Sequence, residues 1–160
     1  MNTTSFLDRL LVCGFPGIGK SVASKKYGWT DSDSSSFSWE FKGIRHREWP
    51  HNYIEHLKRS SGIIMLSTHA EVRDALYLAK EPFIVCYPQR ECKEEYIERY
   101  TNRGSSESFI SLLTEKWDEW IDEMKWENRA KTHMTLSCEM FLSDLHGILW
   151  EEYAKNLTCE

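Results

Sequence analysis

The 160-residue chain contains no C-x-x-C pair and no histidines spaced as H-x-x-x-H or H-E-x-x-H, the arrangements that hold zinc. It has no apolar run near the roughly 20 residues that a membrane span requires. Its opening stretch, MNTTSFLDRL, lacks the basic and long apolar segments of an export signal, so a cytoplasmic setting is expected. Basic excess is missing as well: 20 Lys and Arg stand against 25 Asp and Glu, a formal net charge of −5. Proteins whose main task is gripping long nucleic acid carry a basic face, so this balance argues against stable nucleic-acid binding. A small anion needs only a few placed cations, and that role stays open. Glycine is scarce, eight in all, yet Gly14, Gly17, Gly19 and Gly28 crowd one short stretch.

What is present fits one soluble globular domain over residues 1–160, with 41% apolar and 28% charged residues. Seven Trp, seven Tyr and seven Phe predict thick aromatic packing, or flat surfaces able to hold bases. Cys13 and Cys86 sit inside apolar runs and read as buried strand thiols. With no cysteine pairing visible, a reducing compartment is the natural setting.

Strand and helix signals alternate along the chain. Short apolar runs at 9–14 (RLLVCG), 62–68 (GIIMLST), 82–88 (PFIVCYP) and 133–137 (HMTLS) read as buried strands, with a brief further strand in WTDSD. Helical spacing covers 19–28, ending at Gly28, then the stretch after Pro50, then 69–81, 92–104, 108–127 and 139–155. Strands alternating with helices predict a parallel α/β sheet.

Gly14-Phe15-Pro16-Gly17-Ile18-Gly19-Lys20-Ser21 fills every fixed position of G-x-x-x-x-G-K-[ST], directly after a buried strand and at the start of a helix. Glycines let the backbone curl so that successive N–H groups point at phosphate oxygens. Lys20 supplies a point charge to the outer phosphates, and Ser21 offers a hydroxyl to Mg²⁺. The helix beyond adds its partial positive charge, and Val22 belongs to its first turn.

The order of strand, GFPGIGKS, helix and the D-x-D-like DSDSS near residue 31 resembles the small P-loop kinases. These are the nucleoside monophosphate kinases with their shikimate, gluconate and polynucleotide kinase relatives. The chain is also similar to short P-loop kinase-like proteins of phages of Gram-positive bacteria. The resemblance implies the three-layer P-loop NTPase fold, a five-stranded parallel sheet of order 2-3-1-4-5 with helices on both faces. It implies an acceptor segment at about 37–60 and an Arg-bearing helical lid at about 90–127. It also implies MgATP as donor and a small phosphate acceptor, foremost a (deoxy)nucleoside monophosphate, in the cytoplasm of a host cell if the gene is a phage's.

Carried onto this chain, Gly14, Gly17, Ile18, Gly19, Lys20, Ser21 and Val22 hold the donor phosphates, with Lys20 also catalytic. Ser21 and Asp33 take the metal. Asp31 and Asp33 fall where some relatives keep carboxylates that orient Mg²⁺-bound water or accept a proton from an acceptor hydroxyl. DSDSS also reads as a solvated turn with an Asx cap. Arg99 and Arg103, four apart, share a helix face and are the candidate lid arginines, with Arg90 upstream; an ion-paired surface helix is the bland alternative. Arg45 and Arg47, interleaved with Trp39, Trp49 and Tyr53, lie where relatives bind the acceptor. His69 follows a strand, where catalytic residues often lie.

The strand at 62–68 has no Asp at its end; Ser67, Thr68 and His69 stand there instead. That weakens an ATPase-motor reading. It keeps alive a nucleotide-binding regulatory module with little turnover, beside kinases acting on a nucleic-acid 5′-hydroxyl or a modified base. Trp117 and Trp120, with Trp126 beyond, read as core on the long amphipathic helix rather than as a stacking platform.

Overall fold

The computed structural model describes residues 8–41 and 43–157. Residues 1–7, which carry most of the stretch lacking an export signal, lie outside the described residues. The apolar run at the start forms β1 (Arg9–Gly14), whose residues from Leu10 to Gly14 are all buried. A strand whose odd and even side chains are both buried is covered on both faces, which is why parallel strands read as continuous apolar runs. β5 (Gly62–Leu66) and β6 (Phe83–Pro88) behave alike. β1 pairs in parallel with both, Leu11 opposite Ile64 on one side and Phe83 on the other.

The brief second strand is β2 (Thr30–Asp31), parallel to β5 with Asp31 opposite Met65. β7 (Thr132–Leu136) completes the sheet beside β6, Cys86 opposite Met134. The result is a mixed α/β architecture with a five-stranded parallel sheet of order β2-β5-β1-β6-β7. Between residues 35 and 45 the chain makes a short helix, α2 (Ser35–Ser38), and an exposed antiparallel hairpin of β3 (Trp39–Phe41) and β4 (Ile44–Arg45). Residues 39–45 carry no strand signal, because both strands of the hairpin are exposed and have no buried face to impose alternation.

The helices follow their apolar spacing. α1 (Lys20–Tyr27) ends at Gly28, which takes the left-handed conformation at φ 71°. α3 (His51–Lys58) buries Tyr53, Ile54 and Leu57, and α4 (Ala70–Leu78) buries Val72, Ala75 and Leu76. α4 stops short of the expected residue 81. α5 (Lys93–Asn102) buries Tyr96 and Tyr100, and α6 (Glu107–Lys125) buries Leu113, Trp117, Ile121 and Met124 along one stripe. The closing helix, α7 (His146–Leu157), starts seven residues later than its apolar pattern predicts, after a 3₁₀ turn at Leu142–Leu145. Residues 138–142 are instead drawn against the glycine-rich loop, where the Leu142 amide donates to the Ile18 carbonyl at 2.7 Å.

One correction concerns the cysteines. Cys13 and Cys86 are buried free thiols, and burial pushes both up to about 12. Cys92 and Cys138, however, form a disulfide. They meet because β6 and β7 are neighbours whose ends, Pro88 and Leu136, lie side by side. Sequence separation of 46 hides that proximity. Such a bond is one that an oxidising setting preserves, against the reducing one expected.

Candidate functional site

The glycine-rich loop leaves the end of β1 and is held from beneath by aromatic rings. Phe15 is buried edge-on against Trp117 of α6 (5.3 Å between centroids) and Tyr96 of α5 (6.3 Å). The Tyr100 hydroxyl donates to the Pro16 carbonyl at 2.7 Å. Two glycines there have no substitute. Gly17 (φ 89°) and Gly19 (φ 96°) adopt left-handed backbone, and a Cβ on Gly17 would meet Tyr100 Cε1 at 2.6 Å. Ile18 is fully buried, so of this residue only the backbone is free to serve a ligand.

α1 begins with no side-chain cap, because Gly19 stands at that position. The first amides of the helix therefore have no acceptor within it and point toward solvent with the positive end of the helix dipole. Lys20, in the first turn, curls back and donates from Nζ to the Gly14 carbonyl at 2.8 Å. Burial lowers its pKa to about 8, and Asp31 is the strongest opposing charge. Ser21 and Val22 are exposed on the same turn.

Three clefts meet at Lys20. The first, about 530 Å³, runs over the loop past Ser21, Val22, Arg99, Arg103 and Phe141. The second, about 440 Å³, is bordered by Asp31, Asp33, Trp39, Arg45 and His69. The third, about 630 Å³, opens between His69 and α6, past Arg103, Phe109 and Trp120.

Asp31 borders both of the first two clefts and Asp33 only the second. An Asx bond holds Asp33, its Oδ1 accepting from the Ser35 amide at 2.9 Å, and hydrogen bonding to Ser35, through its side chain first and its amide second, lowers the Asp33 pKa. Both the turn and the cleft position foreseen for Asp33 thus coexist, while Asp31 is the carboxylate coupled to Lys20. The metal implied by the resemblance can be tested against this donor set. Among the described residues no three or more His, Cys, Asp or Glu side chains gather as a cage. A hydroxyl from Ser21 and a carboxylate from Asp31, on one cleft beside a phosphate cradle, do fit a hard cation that keeps waters and takes phosphate oxygens.

The arginines divide. Arg99 donates to three carbonyls: Nη1 to Gly17 at 2.9 Å, and Nη2 to Cys138 at 3.0 Å and Met140 at 2.8 Å. Its guanidinium also lies 3.9 Å from the Phe141 ring centroid. Arg99 is thus a brace between the loop, α5 and residues 138–141. Arg103 binds Ser105 Oγ through Nε (2.9 Å) and lies over the Tyr100 and Phe109 rings, with its terminal nitrogens unengaged among the described residues. Arg90 pairs with Asp118 and Asp122 of α6, and it borders none of the three clefts. Arg45 is covered by Trp39 (4.5 Å) and Trp49 (5.7 Å) and reaches Glu71 at 3.4 Å. Arg47 is exposed and borders none of these clefts.

No protein-family model matches the chain, and no curated protein matches it. Among solved structures, that of an uncharacterized protein from Eubacterium ventriosum ATCC 27560 aligns with a TM-score of 0.52 at 9% identity. The alignment covers 92% of this chain and 99% of that one. The likeness is one of fold. No helix among the described residues is long and apolar enough to cross a membrane.

Two further residues join the site: Phe141, hidden in an apolar helical pattern, and Ser67, noted in the sequence only as standing where a strand-end Asp is missing. Phe141 borders the first cleft and nearly touches Gly19, where an added Cβ would lie 3.0 Å from its Cδ1. It had read as one apolar position of a helix that begins only at residue 146. Ser67 carries a buried hydroxyl with no partner among the described residues, at the meeting of the second and third clefts.

Proposed function

We propose that the chain is an ATP-dependent phosphotransferase that moves the γ-phosphate of MgATP to a small acceptor, foremost a (deoxy)nucleoside monophosphate. The observation that carries this reading is the meeting of three clefts at Lys20, over a loop whose helix has an uncapped N-terminus. Phosphoryl transfer needs positioning and charge neutralisation more than covalent chemistry. A donor cleft and an acceptor cleft sharing one lysine satisfy that requirement. The strand order supports the same reading: counted within the large sheet alone, it runs second, third, first, fourth, fifth, as in the P-loop kinases that the chain resembles.

In this reading the backbone amides at 17–22 and Lys20 hold the donor phosphates, and the adenine lies toward Phe141. Ser21 and Asp31 would hold Mg²⁺ beside the phosphates, where the ion would supply charge neutralisation. Asp31 and Asp33 face the reaction centre from the second cleft, and Arg103 supplies the cation that Arg99, engaged with carbonyls, does not. Water is excluded as the bound nucleotides fill the clefts around Lys20.

A second reading, a nucleotide-binding module with little turnover, draws on the engagement of Arg99. ADP release from MgATP across common NMPs and dNMPs, shikimate, gluconate and a 5′-hydroxyl oligonucleotide separates the two. Stimulation by one acceptor, lost in Lys20→Ala and strongly reduced in Asp31→Asn, supports the phosphotransferase. Flat, slow turnover with ATP still bound favours the module.

A further inference from the structure

The two clefts on the acceptor side of Lys20 have opposite characters. The one beside β2 is walled by Asp31, Asp33 and a run of serines, and its aromatic faces are already taken. Arg45 covers Trp39 and Trp49, Trp49 stacks on Tyr53 at 5.9 Å, and the Trp49 indole N–H donates to Glu71 at 2.7 Å. A flat ring entering there would have to displace the protein's own cation.

The cleft against α6 is the reverse. Phe109, Leu112, Trp120 and Met124 give it an apolar wall, and Lys20 and Arg103 mark its charged end. Its volume, about 630 Å³, suits a small molecule. Trp120 is half-buried and has neither a ring nor a cation against it among the described residues, unlike Trp117, which is locked into the core. Leu112 stands 43% exposed beside it. At the charged end the terminal nitrogens of Arg103 and the buried Ser67 hydroxyl have no partner among the described residues. An apolar wall with an indole that no ring or cation among the described residues covers, ending in the terminal nitrogens of Arg103, a lysine turned onto the Gly14 carbonyl and an unpartnered hydroxyl, matches a ligand with a flat ring at one end and a phosphate at the other.

We propose that the nucleobase of the acceptor seats on α6 against Trp120 and Leu112, beside the Phe109 ring that Arg103 already covers, with its phosphate toward the terminal nitrogens of Arg103 and toward Lys20, and not in the 37–60 segment. This rests on the phosphotransferase reading and deepens it. Trp120 and Leu112 are then specificity-determining residues, and the Trp39–Arg45–Trp49 group shapes the opposite wall of the reaction centre.

Diadenosine pentaphosphate, which joins a donor nucleotide to a second adenosine through its phosphates, is the probe. Its affinity is compared with that of ATP by titration calorimetry. The unmodified protein is expected to bind it at least about tenfold tighter than ATP, as a stacked second base allows. Trp120→Ala and Leu112→Asp are each expected to abolish that advantage while changing ATP affinity less than about twofold, and Trp39→Ala to keep it. Leu112→Asp, at an exposed position, decides the matter if Trp120→Ala does not fold. Absence of the advantage in the unmodified protein, its survival in both α6 variants, or its loss in Trp39→Ala overturns this placement and leaves the phosphotransferase reading standing. Failure to bind ATP at all overturns both.

Discussion

Arg99 Nη1 donates to the carbonyl of Gly17 at 2.9 Å, latching α5 to the phosphate loop. With Nη2 on the Cys138 and Met140 carbonyls and the guanidinium against Phe141, one side chain joins the loop, α5 and the segment after β7. A lysine has neither the planar fork nor the reach to serve three acceptors at once.

Arg99→Lys is therefore expected to cost about 2 kcal/mol of stability, because hydrogen bonds from a charged donor are worth more than neutral ones and carbonyls are left unpaired. ATP affinity should fall with it, since Phe141 and the loop lose their common tie. Chemical denaturation and calorimetry read the two effects. A variant that loses turnover but keeps full stability and ATP affinity would show that Arg99 acts on the migrating phosphoryl group instead.

Gly17→Ala faces two obstacles. At φ 89° any Cβ is strained, and here it would lie 2.6 Å from Tyr100 Cε1. Expected outcomes are loss of ATP binding and destabilisation by about 2 kcal/mol or more. Tyr100→Phe, which removes only the hydroxyl on Pro16, should not rescue it, because the clashing ring carbon remains. Binding and thermal unfolding of the single and double variants check this.

The parallel sheet was legible because β1, β5 and β6 are buried on both faces, and continuous burial leaves a continuous apolar run in the sequence. The loop was legible because backbone geometry demands glycine at 17 and 19. The hairpin at 39–45 was not, since exposed strands need no alternation. Nor was the disulfide, which depends on which strand ends become neighbours. Arg99 and Arg103 looked equivalent at a spacing of four; only tertiary contacts separate the brace from the open cation. Trp117 and Trp120 of α6 and Trp126 just past its end likewise divide into core, cleft wall and a ring 75% exposed. Their environment, not their spacing, assigns the role.

The apolar end of the chain's architecture depends on a buried charge network. Glu127 accepts from Arg73 at 2.6 Å and from Arg129 at 2.8 Å, and Arg129 also pairs with Asp74, so α4 is fastened to the segment leading into β7. Its hydrogen bonds with Arg129, followed by those with Arg73, hold the Glu127 carboxyl down at about 2. A depressed acid contributes stability above its unfolded pKa and loses it as pH falls through the folded one. Glu127 should thus contribute on the order of 3 kcal/mol above about pH 4.5, lost progressively toward pH 2. Glu127→Gln is expected to be less stable at neutral pH and to show a shallower decline in acid. Urea unfolding across pH 7 to 3 tests this, and equal stability of the two proteins at pH 7 would refute it.

Lys20 carries the opposite sign. Burial lowers its pKa from 10.5 to about 8, so in the folded, ligand-free chain it is half deprotonated near pH 8. A basic group depressed on folding opposes the fold below that pH, and the opposition fades as pH rises from about 8 toward 10.5. A bound polyphosphate restores the charge, because opposite charge favours the ionised form. ATP binding at pH 8.5 to 9.5 should then take up a proton, and affinity should decline above pH 8, well before a solvated lysine would titrate. Calorimetry in buffers of different ionisation enthalpy measures the uptake directly. In Lys20→Met the uptake should vanish, and the weaker affinity that remains should be flat across the same range. An affinity in the unmodified protein that holds level to pH 9.5, with no proton taken up, would mean that Lys20 does not meet the phosphates.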